Sequence, residues 1–407
     1  MGRYILLVVI VALSLQACSG PRIRTVDVAP FTGSDRPSGD TDLSLGEQER
    51  EDGQFLGLAL SGGGSRAAVF GAAVMRELQA RSVLSRVDVI SAVSGGALPA
   101  TMYALDGRQG IRWDDRATEL LAADFQGDVI ARIANPLHWP RYWFTSYSRG
   151  DDLESVLDTR LFHGAHLSGV APNPRLLINA TNALTGEPFV FTPAAMARVG
   201  LSQAELPVTR AISASTAYPD TLPLVRFRAA AATAASNTPS SLTLYDGGVA
   251  DNLGVGTLLT LLDTADRERA LSDQFPQGCL IIAVDATPRS PDTTPLSAAA
   301  GLLRNNRRQM LARVGLSPSE QDREAVTTFA VGPQGGRCML WHVALRHLGD
   351  ESLGRRATSI PTNLRLSADD RTVLEQAAHQ LVERSWPTLS SSGAPFHRFV
   401  ESARQSR

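Results

Sequence analysis

The sequence predicts an α/β fold with a mainly parallel central sheet, on three observations. Phe55 to Leu60 is a short apolar run of the kind expected for a buried strand. A helical pattern follows, with Phe70, Val74 and Leu78 on one stripe and Arg76, Glu77 and Gln79 off it. Val87 to Val93 is a second apolar run. Two buried strands joined by a helix form a right-handed βαβ unit, so the strands run parallel. Open α/β sheets place their ligand sites outside the carboxyl ends of such strands. Here both ends carry glycine turns: Gly62-Gly63-Gly64 after the first strand, and Ser94-Gly95-Gly96 after the second.

Each turn suits a specific chemistry. A serine hydroxyl is a weak nucleophile unless it is held exposed with a base in reach. A sharp strand-to-helix turn holds it so, and Gly95 and Gly96 supply the small neighbours that a strained backbone needs. Pro99 requires the helix after Ser94 to begin late, with the proline in its first turn. The N–H groups of the Gly62-Gly63-Gly64 turn can converge on an oxygen that gains negative charge. The same shape binds phosphates. A P-loop, however, ends in Gly-Lys-Ser/Thr, and this turn ends Gly64-Ser65-Arg66.

Ahead of this core lies a targeting segment. Arg3 precedes the apolar stretch Tyr4 to Leu15, which is short for a membrane span. It runs into Leu15-Gln16-Ala17-Cys18, similar to the lipobox of bacterial lipoprotein signals, whose cysteine is lipidated. The competing reading is ordinary signal-peptidase cleavage beside an incidental cysteine. Ser19 to about Gly53 is polar and is expected to be a flexible tether. The 407-residue chain has a formal net charge of −2, which gives no reason to expect a nucleic-acid partner.

Beyond the second turn, Trp113 to Asn135 reads as helical. Pro136 to Phe162 is rich in aromatics, with Trp139, Tyr142, Trp143, Phe144 and Tyr147 beside Arg141 and Arg149. Such rings suit a lipid–water boundary, but most are read here as packing a helical cap. Gly150-Asp151-Asp152-Leu153 opens a helix with an acidic first turn. Pro174 to Ala180 reads as a strand, Ala211 to Ala217 as a helix and Ala229 to Ser241 as an exposed loop or a short frayed helix. Leu242 to Tyr245 is a strand that delivers Asp246-Gly247-Gly248, with a helix from Val255 to Leu262 after it. Cys279 to Val284 is expected to close the core sheet. The remainder alternates a helix near Leu302 to Val314, a strand from Cys338 to Leu345 and a last helix capped by Ser367. Cys279 and Cys338 could pair, which sequence does not establish. No His/Cys/Asp cluster has metal-ligand spacing.

Ser94 needs a base. None of the seven histidines lies in a glycine-flanked turn, whereas Asp246 does. The set resembles the patatin-like phospholipases. That family carries a glycine-rich oxyanion turn followed by a basic residue, a G-x-S-x-G serine and a later D-G-[GA] aspartate. The matching positions are Gly62, Gly63 and Gly64 with Arg66, Ser94 with Gly96, and Asp246 with Gly247 and Gly248. Asn179-Ala180-Thr181 and Ala214-Ser215-Thr216-Ala217-Tyr218-Pro219 resemble further family blocks. One departure is Ala92 in place of the first motif glycine.

The resemblance implies a three-layer patatin-like fold with a nucleophile elbow and a Ser–Asp dyad. It implies Ser94 as nucleophile, Asp246 as general base and Gly62 to Gly64 as oxyanion hole. Arg66 either holds the turn or attracts a phosphate headgroup. Residues 1–17 are then a signal peptide, and 18–53 a lipidated N-terminus with its tether. Residues 54–407 form the hydrolase domain, with core 55–286 and extension 287–407. The expected activity is hydrolysis of phospholipid or lysophospholipid esters, with no cofactor or metal. The expected location is the bacterial envelope, anchored at Cys18, in the outer membrane. Two alternatives stand beside it: an α/β-hydrolase triad of Ser94, Asp246 and His342 or His347, and an inactive scaffold suggested by Ala92.

Overall fold

The computed structural model describes residues 23–31, 43, 45, 53–106, 113, 115–219, 221–229, 241–288, 298–349 and 351–390. Cys18 and the segment before it lie outside these residues, as does most of the Ala229–Ser241 stretch. The strands are β1 (Arg24–Val28), β2 (Phe55–Leu60), β3 (Val89–Val93), β4 (Arg175–Asn182), β5 (Pro188–Val190), β6 (Val225–Ala229), β7 (Ser241–Asp246), β8 (Cys279–Asp285), β9 (Val326–Val331) and β10 (Gly336–Ala344). They form one mixed sheet in the order β1-β6-β7-β4-β3-β2-β8-β10-β9, with β5 paired to β4. The centre, β4-β3-β2-β8-β10, is parallel throughout.

Alternation along β2 explains the layering. Leu56, Leu58 and Leu60 face a core shared with the helices Gly64–Ala80, Ala97–Asp106 and Ala368–Ser390. Phe55 and Ala59 face a second core with Leu258 and Leu262 of the helix Val255–Arg267 and Leu311 of the helix Ala298–Arg313. All of β2 is therefore buried, which is why it reads as an unbroken apolar run. Gly57 marks the closest approach of the second layer, because a Cβ there would stand 2.9 Å from Leu258.

The helix starts follow the local chemistry. Ser367 and Asp370 form a reciprocal cap, with Asp370 N–H donating to Ser367 Oγ and Ser367 N–H to Asp370 Oδ2. Ser148 and Asp151 do the same for the helix Arg149–Leu157. Trp341 of β10 ties the last helix to the sheet through Nε1 to Ser385 Oγ, 2.9 Å apart.

Two expectations need correction, and one open question is answered. The sheet does not close at β8, because β10 and then β9 extend it. The segment 287–407 thus supplies two strands of the same sheet. β9 escaped notice because it is an edge strand, half exposed, whose Thr327 and Thr328 break its apolar run. The region 18–53 is not tether throughout, since Arg24–Val28 is an edge strand paired in parallel with β6. Its Val26 and Val28 point into the core. Cys279 and Cys338 are opposite one another on β8 and β10 and form a disulfide, with Cα atoms 4.6 Å apart.

A buried ion-pair network fixes β1. Arg24 is 3% exposed; its Nε donates to Asp151 at 2.7 Å and its guanidinium also pairs with Glu154. Glu154 in turn accepts from Arg210. Removing one partner of a buried pair leaves the other charge uncompensated. Arg24→Ala is expected to cost about 3 kcal/mol. Urea unfolding at neutral pH measures it, and a loss within error of zero would return β1 to the status of a tether.

Candidate active site

The three glycine motifs meet at one place. β2 ends at the Gly62-Gly63-Gly64 turn, in which Gly63 has φ 138° and Gly64 φ 60°. Both values lie where L side chains are strained. A Cβ on Gly64 would stand 2.3 Å from the Asn363 carbonyl oxygen. β3 ends at Ser94, which itself has φ 50°. A non-glycine residue in that region is costly and persists only when its surroundings enforce it. The small neighbours do enforce it. A Cβ on Gly95 would lie 2.1 Å from the Gly64 carbonyl oxygen, and one on Gly96 2.6 Å from those of Leu60 and Ser61. The two turns are in backbone contact.

Asp246 arrives from a different direction. β7 runs antiparallel to β4, with Asp246 opposite Ala180, while Val93 is opposite Asn179 on the other edge of β4. The aspartate therefore comes down to the level of Ser94 from beyond the parallel strands' ends. Ser94 Oγ donates to Asp246 Oδ2 at 2.8 Å, and Gly248 N–H donates to Asp246 Oδ1 at 2.8 Å. Gly247 is required where a Cβ would meet the Asn179 carbonyl oxygen at 2.3 Å. The carboxylate is buried, and desolvation pushes its pKa up to about 6. The Gly248 and Ser94 hydrogen bonds oppose that rise.

Two residues of the blocks around them acquire roles that sequence reasoning did not assign. Ser215 Oγ accepts from Ser94 N–H at 2.8 Å and donates to the Asn179 carbonyl at 2.6 Å. Asn179 Nδ2 donates to Ser91 Oγ and to the Ala92 carbonyl. Asn179 Oδ1 takes the Thr257 hydroxyl. Ala92 itself is a fully buried strand residue, and its methyl group is part of the core.

Of the three N–H groups expected for the oxyanion turn, one is already engaged. Gly62 N–H donates to the Asn252 carbonyl at 3.0 Å, which occupies it. The N–H groups of Gly63 and Gly64 have no acceptor among the described residues. Gly62 is needed for space, since a Cβ there would lie 2.7 Å from Asn252 Oδ1 and 3.3 Å from Ser94 Cβ. Asp251 organises that loop by accepting from the N–H groups of Leu253, Gly254 and Thr257.

Arg66 holds the turn and does not face a headgroup. It is 2% exposed, and its guanidinium reaches the carbonyls of Ala286 and Ile360 and the Thr362 hydroxyl. Ser65 N–H completes the clamp with the Asn363 carbonyl at 2.8 Å. Burial pulls the Arg66 pKa down to about 10, and Asp285 opposes this, so it stays charged at neutral pH.

No histidine joins the site among the described residues. His342 lies opposite Ala283, and Ala283 opposite Ala59, which pairs with Ser91. Three strand spacings separate it from β3, about 14 Å. Its Nε2 contacts Asp285, which also accepts from Arg307. His347 Nε2 faces the Gln321 carbonyl. Elsewhere, Glu77, His379 and Glu383 bring possible metal-binding atoms within 4.8 Å of one another. Arg81 already bridges both glutamates there.

A sequence model described as patatin-like phospholipase matches residues 58–259, a span that holds both glycine turns, Ser94 and Asp246. Residues 58–259 are a patatin-like phospholipase domain. The patatin-like domain ends within the helix Val255–Arg267, so Arg66's partners and Asn363 come from outside it. No curated protein sequence matches the chain. Among solved structures, human GIVD cytosolic phospholipase A2 is 14% identical, with a TM-score of 0.47 over 90% of this chain and 65% of the human one. VipD from Legionella pneumophila is 13% identical, with a TM-score of 0.32 over 81% of this chain and 67% of its own. ExoU of Pseudomonas aeruginosa, in complex with SpcU, is 15% identical, with a TM-score of 0.24 over 82% and 58%.

The raised pKa of Asp246 carries a stability consequence. A group whose folded pKa exceeds its unfolded value contributes stability below the unfolded pKa and loses it as pH rises through the folded one. For Asp246 that window runs from 3.8 to about 6. Above it, the buried carboxylate is a net burden. Asp246→Asn is therefore expected to raise Tm by several degrees at pH 8, with the gain vanishing near pH 4. Calorimetry across that range checks it, and a pH-independent difference would contradict the burial argument.

Proposed function

We propose that this chain is a serine ester hydrolase acting on phospholipid or lysophospholipid acyl esters. The observation that carries the reading is the 2.8 Å bond from Ser94 Oγ to Asp246, on a strained elbow touching a turn with two free N–H groups. In this reading Asp246 accepts the Ser94 proton as Oγ attacks the ester carbonyl carbon. The carbonyl oxygen becomes an oxyanion and is received by Gly63 and Gly64 N–H, each worth about 3 kcal/mol to the barrier. Collapse expels the alcohol, which takes the proton back from Asp246 and leaves an acyl-Ser94 ester. Water, deprotonated by Asp246, then releases the fatty acid and restores Ser94. A solvated aspartate, of pKa about 4, is a poor base for this work, and burial brings it nearer to the task.

Membership of a phospholipase family supports the substrate class. The triad alternative finds no support in the placement of His342 and His347. The scaffold alternative rests on Ala92 alone, and the retained Ser94–Asp246 hydrogen bond supports an active site over it. We place Cys18 as the site of lipid attachment, with the protein in the bacterial outer membrane. Mass spectrometry of the mature N-terminus tests this, and an unmodified cysteine would refute it.

Ser94→Ala and Asp246→Asn are each expected to reduce hydrolysis by at least 10²-fold with the fold intact, while His347→Ala stays within about tenfold. A fluorophosphonate should label Ser94 in the wild type. The ratio kcat/KM should rise with pH through about 6, as Asp246 loses its proton. A fully active Asp246→Asn protein, or a rate flat from pH 5 to 8, would remove the aspartate from its role.

A further inference from the structure

We infer that the corner bearing Ile23, Leu137, Trp143 and Phe144 is the face this protein lays on a phospholipid surface. The inference rests on the lipid-hydrolase and lipid-anchor readings given above. Four observations meet at this corner.

The apolar groups there are strongly exposed: Leu137 at 83%, Phe144 at 82%, Trp143 at 51% and Ile23 at 42%. They do not belong to a loose segment. In the helix Trp139–Phe144 and the turn after it, Tyr142 and Tyr147 both direct their hydroxyls onto the buried Asp152. Trp139 Nε1 donates to the Ile133 carbonyl at 3.0 Å. The polar aromatics and one tryptophan thus pin the segment down, while Trp143, Phe144 and Leu137 stay outside. Rigid aromatic groups presented this way match the headgroup boundary of a bilayer.

The chain enters the fold at the same corner. Arg24 bonds Asp151, and Asp151 caps the helix that directly follows the aromatic segment. Arg24 comes six residues after Cys18, a reach of about 20 Å when extended. A lipid on Cys18 therefore holds this corner, and not the opposite end of the sheet, against the membrane. The register agrees. Arg24 is level with Val225, Leu244 and Asn182, three residues beyond the row of Val93 on the active-site side.

The charge fits as well. Arg141 stacks over Tyr147 and has no acidic partner among the described residues, so it can meet a phosphate. A hydrogen-bonded path also links this corner to the site. The helix Phe125–Ala134 starts with Gln126 N–H on the Leu364 carbonyl, and the adjacent Asn363 carbonyl clamps the glycine turn through Ser65.

The test uses the full chain in vesicles of phosphatidylethanolamine and phosphatidylglycerol, part of the lipid carrying brominated acyl chains. Bromine should quench a tryptophan component in the wild type that is missing in Trp143→Phe. Equal quenching in the two proteins overturns the inference. In the same vesicles, a Leu137→Ser, Phe144→Ser protein should lose at least tenfold in lipid hydrolysis. Its hydrolysis of a short soluble ester should stay within twofold of wild type, and it should remain anchored. Equal losses on both substrates would mean that the residues act on the fold. A wild type inactive on every ester defeats the functional reading, yet the quenching still decides the surface. A detergent-solubilised dimer that dissociates on Phe144→Ser would assign the face to a second copy and overturn the lipid assignment.

Discussion

The site depends on one strained backbone conformation. Ser94 sits in the left-handed region, which a serine does not adopt without enforcement. The enforcement is a relay: Ser94 N–H to the Ser215 hydroxyl, that hydroxyl to the Asn179 carbonyl, and the Asn179 side chain back to β3 beside Ala92. The relay crosses β4, and β4 is also the strand that fixes the height of Asp246. One strand thus sets both the angle of the hydroxyl and the position of the carboxylate. The glycines around it are spaces into which neighbouring carbonyls fit, and what they supply is their backbone N–H groups.

Burial is the second constraint, and it acts in two directions. It lifts the Asp246 pKa toward the range where a carboxylate can take a proton, and it charges the fold for keeping an ionised group away from water. Asp285 shows the other outcome. It too is fully buried, but Arg307, His342 and Arg346 surround it and hold its carboxyl well below the usual range. Two aspartates of one sheet thus have opposite electrostatics: Asp246 is raised by burial with no cation beside it among the described residues, and Asp285 is neutralised into the structure.

Much of the central layout was legible in the sequence, because β2 and β3 are buried on both faces and their ends are punctuated by glycine. Asp246 was legible as a glycine-opened strand end, but its antiparallel approach was not, since direction is set by pairing across β4. Edge strands were missed in two places, for want of an unbroken apolar run. β1 hides in a polar segment because one of its three buried residues is Arg24, and β9 because Thr327 and Thr328 interrupt a half-exposed edge. The split between Gly62 and its two neighbours could not be read either. It depends on the Asn252 carbonyl, which lies far along the chain. Arg66 offered two roles on paper, and only the positions of Ala286, Ile360 and Thr362 choose between them.

The clamp on the glycine turn has a consequence for the order in which the protein comes into being. A chain is synthesised from its N-terminus, and its early segments can fold while later ones are still unmade. Ser94 and Asp246 emerge well before Ile360, Thr362 and Asn363, the residues that lock Arg66 and Ser65 in place. A nascent chain can bring Ser94 and Asp246 together and still lack the fixed turn opposite them. The glycine turn is locked only by the final stretch of polypeptide, so an unfinished chain lacks the contacts that fix it opposite Ser94.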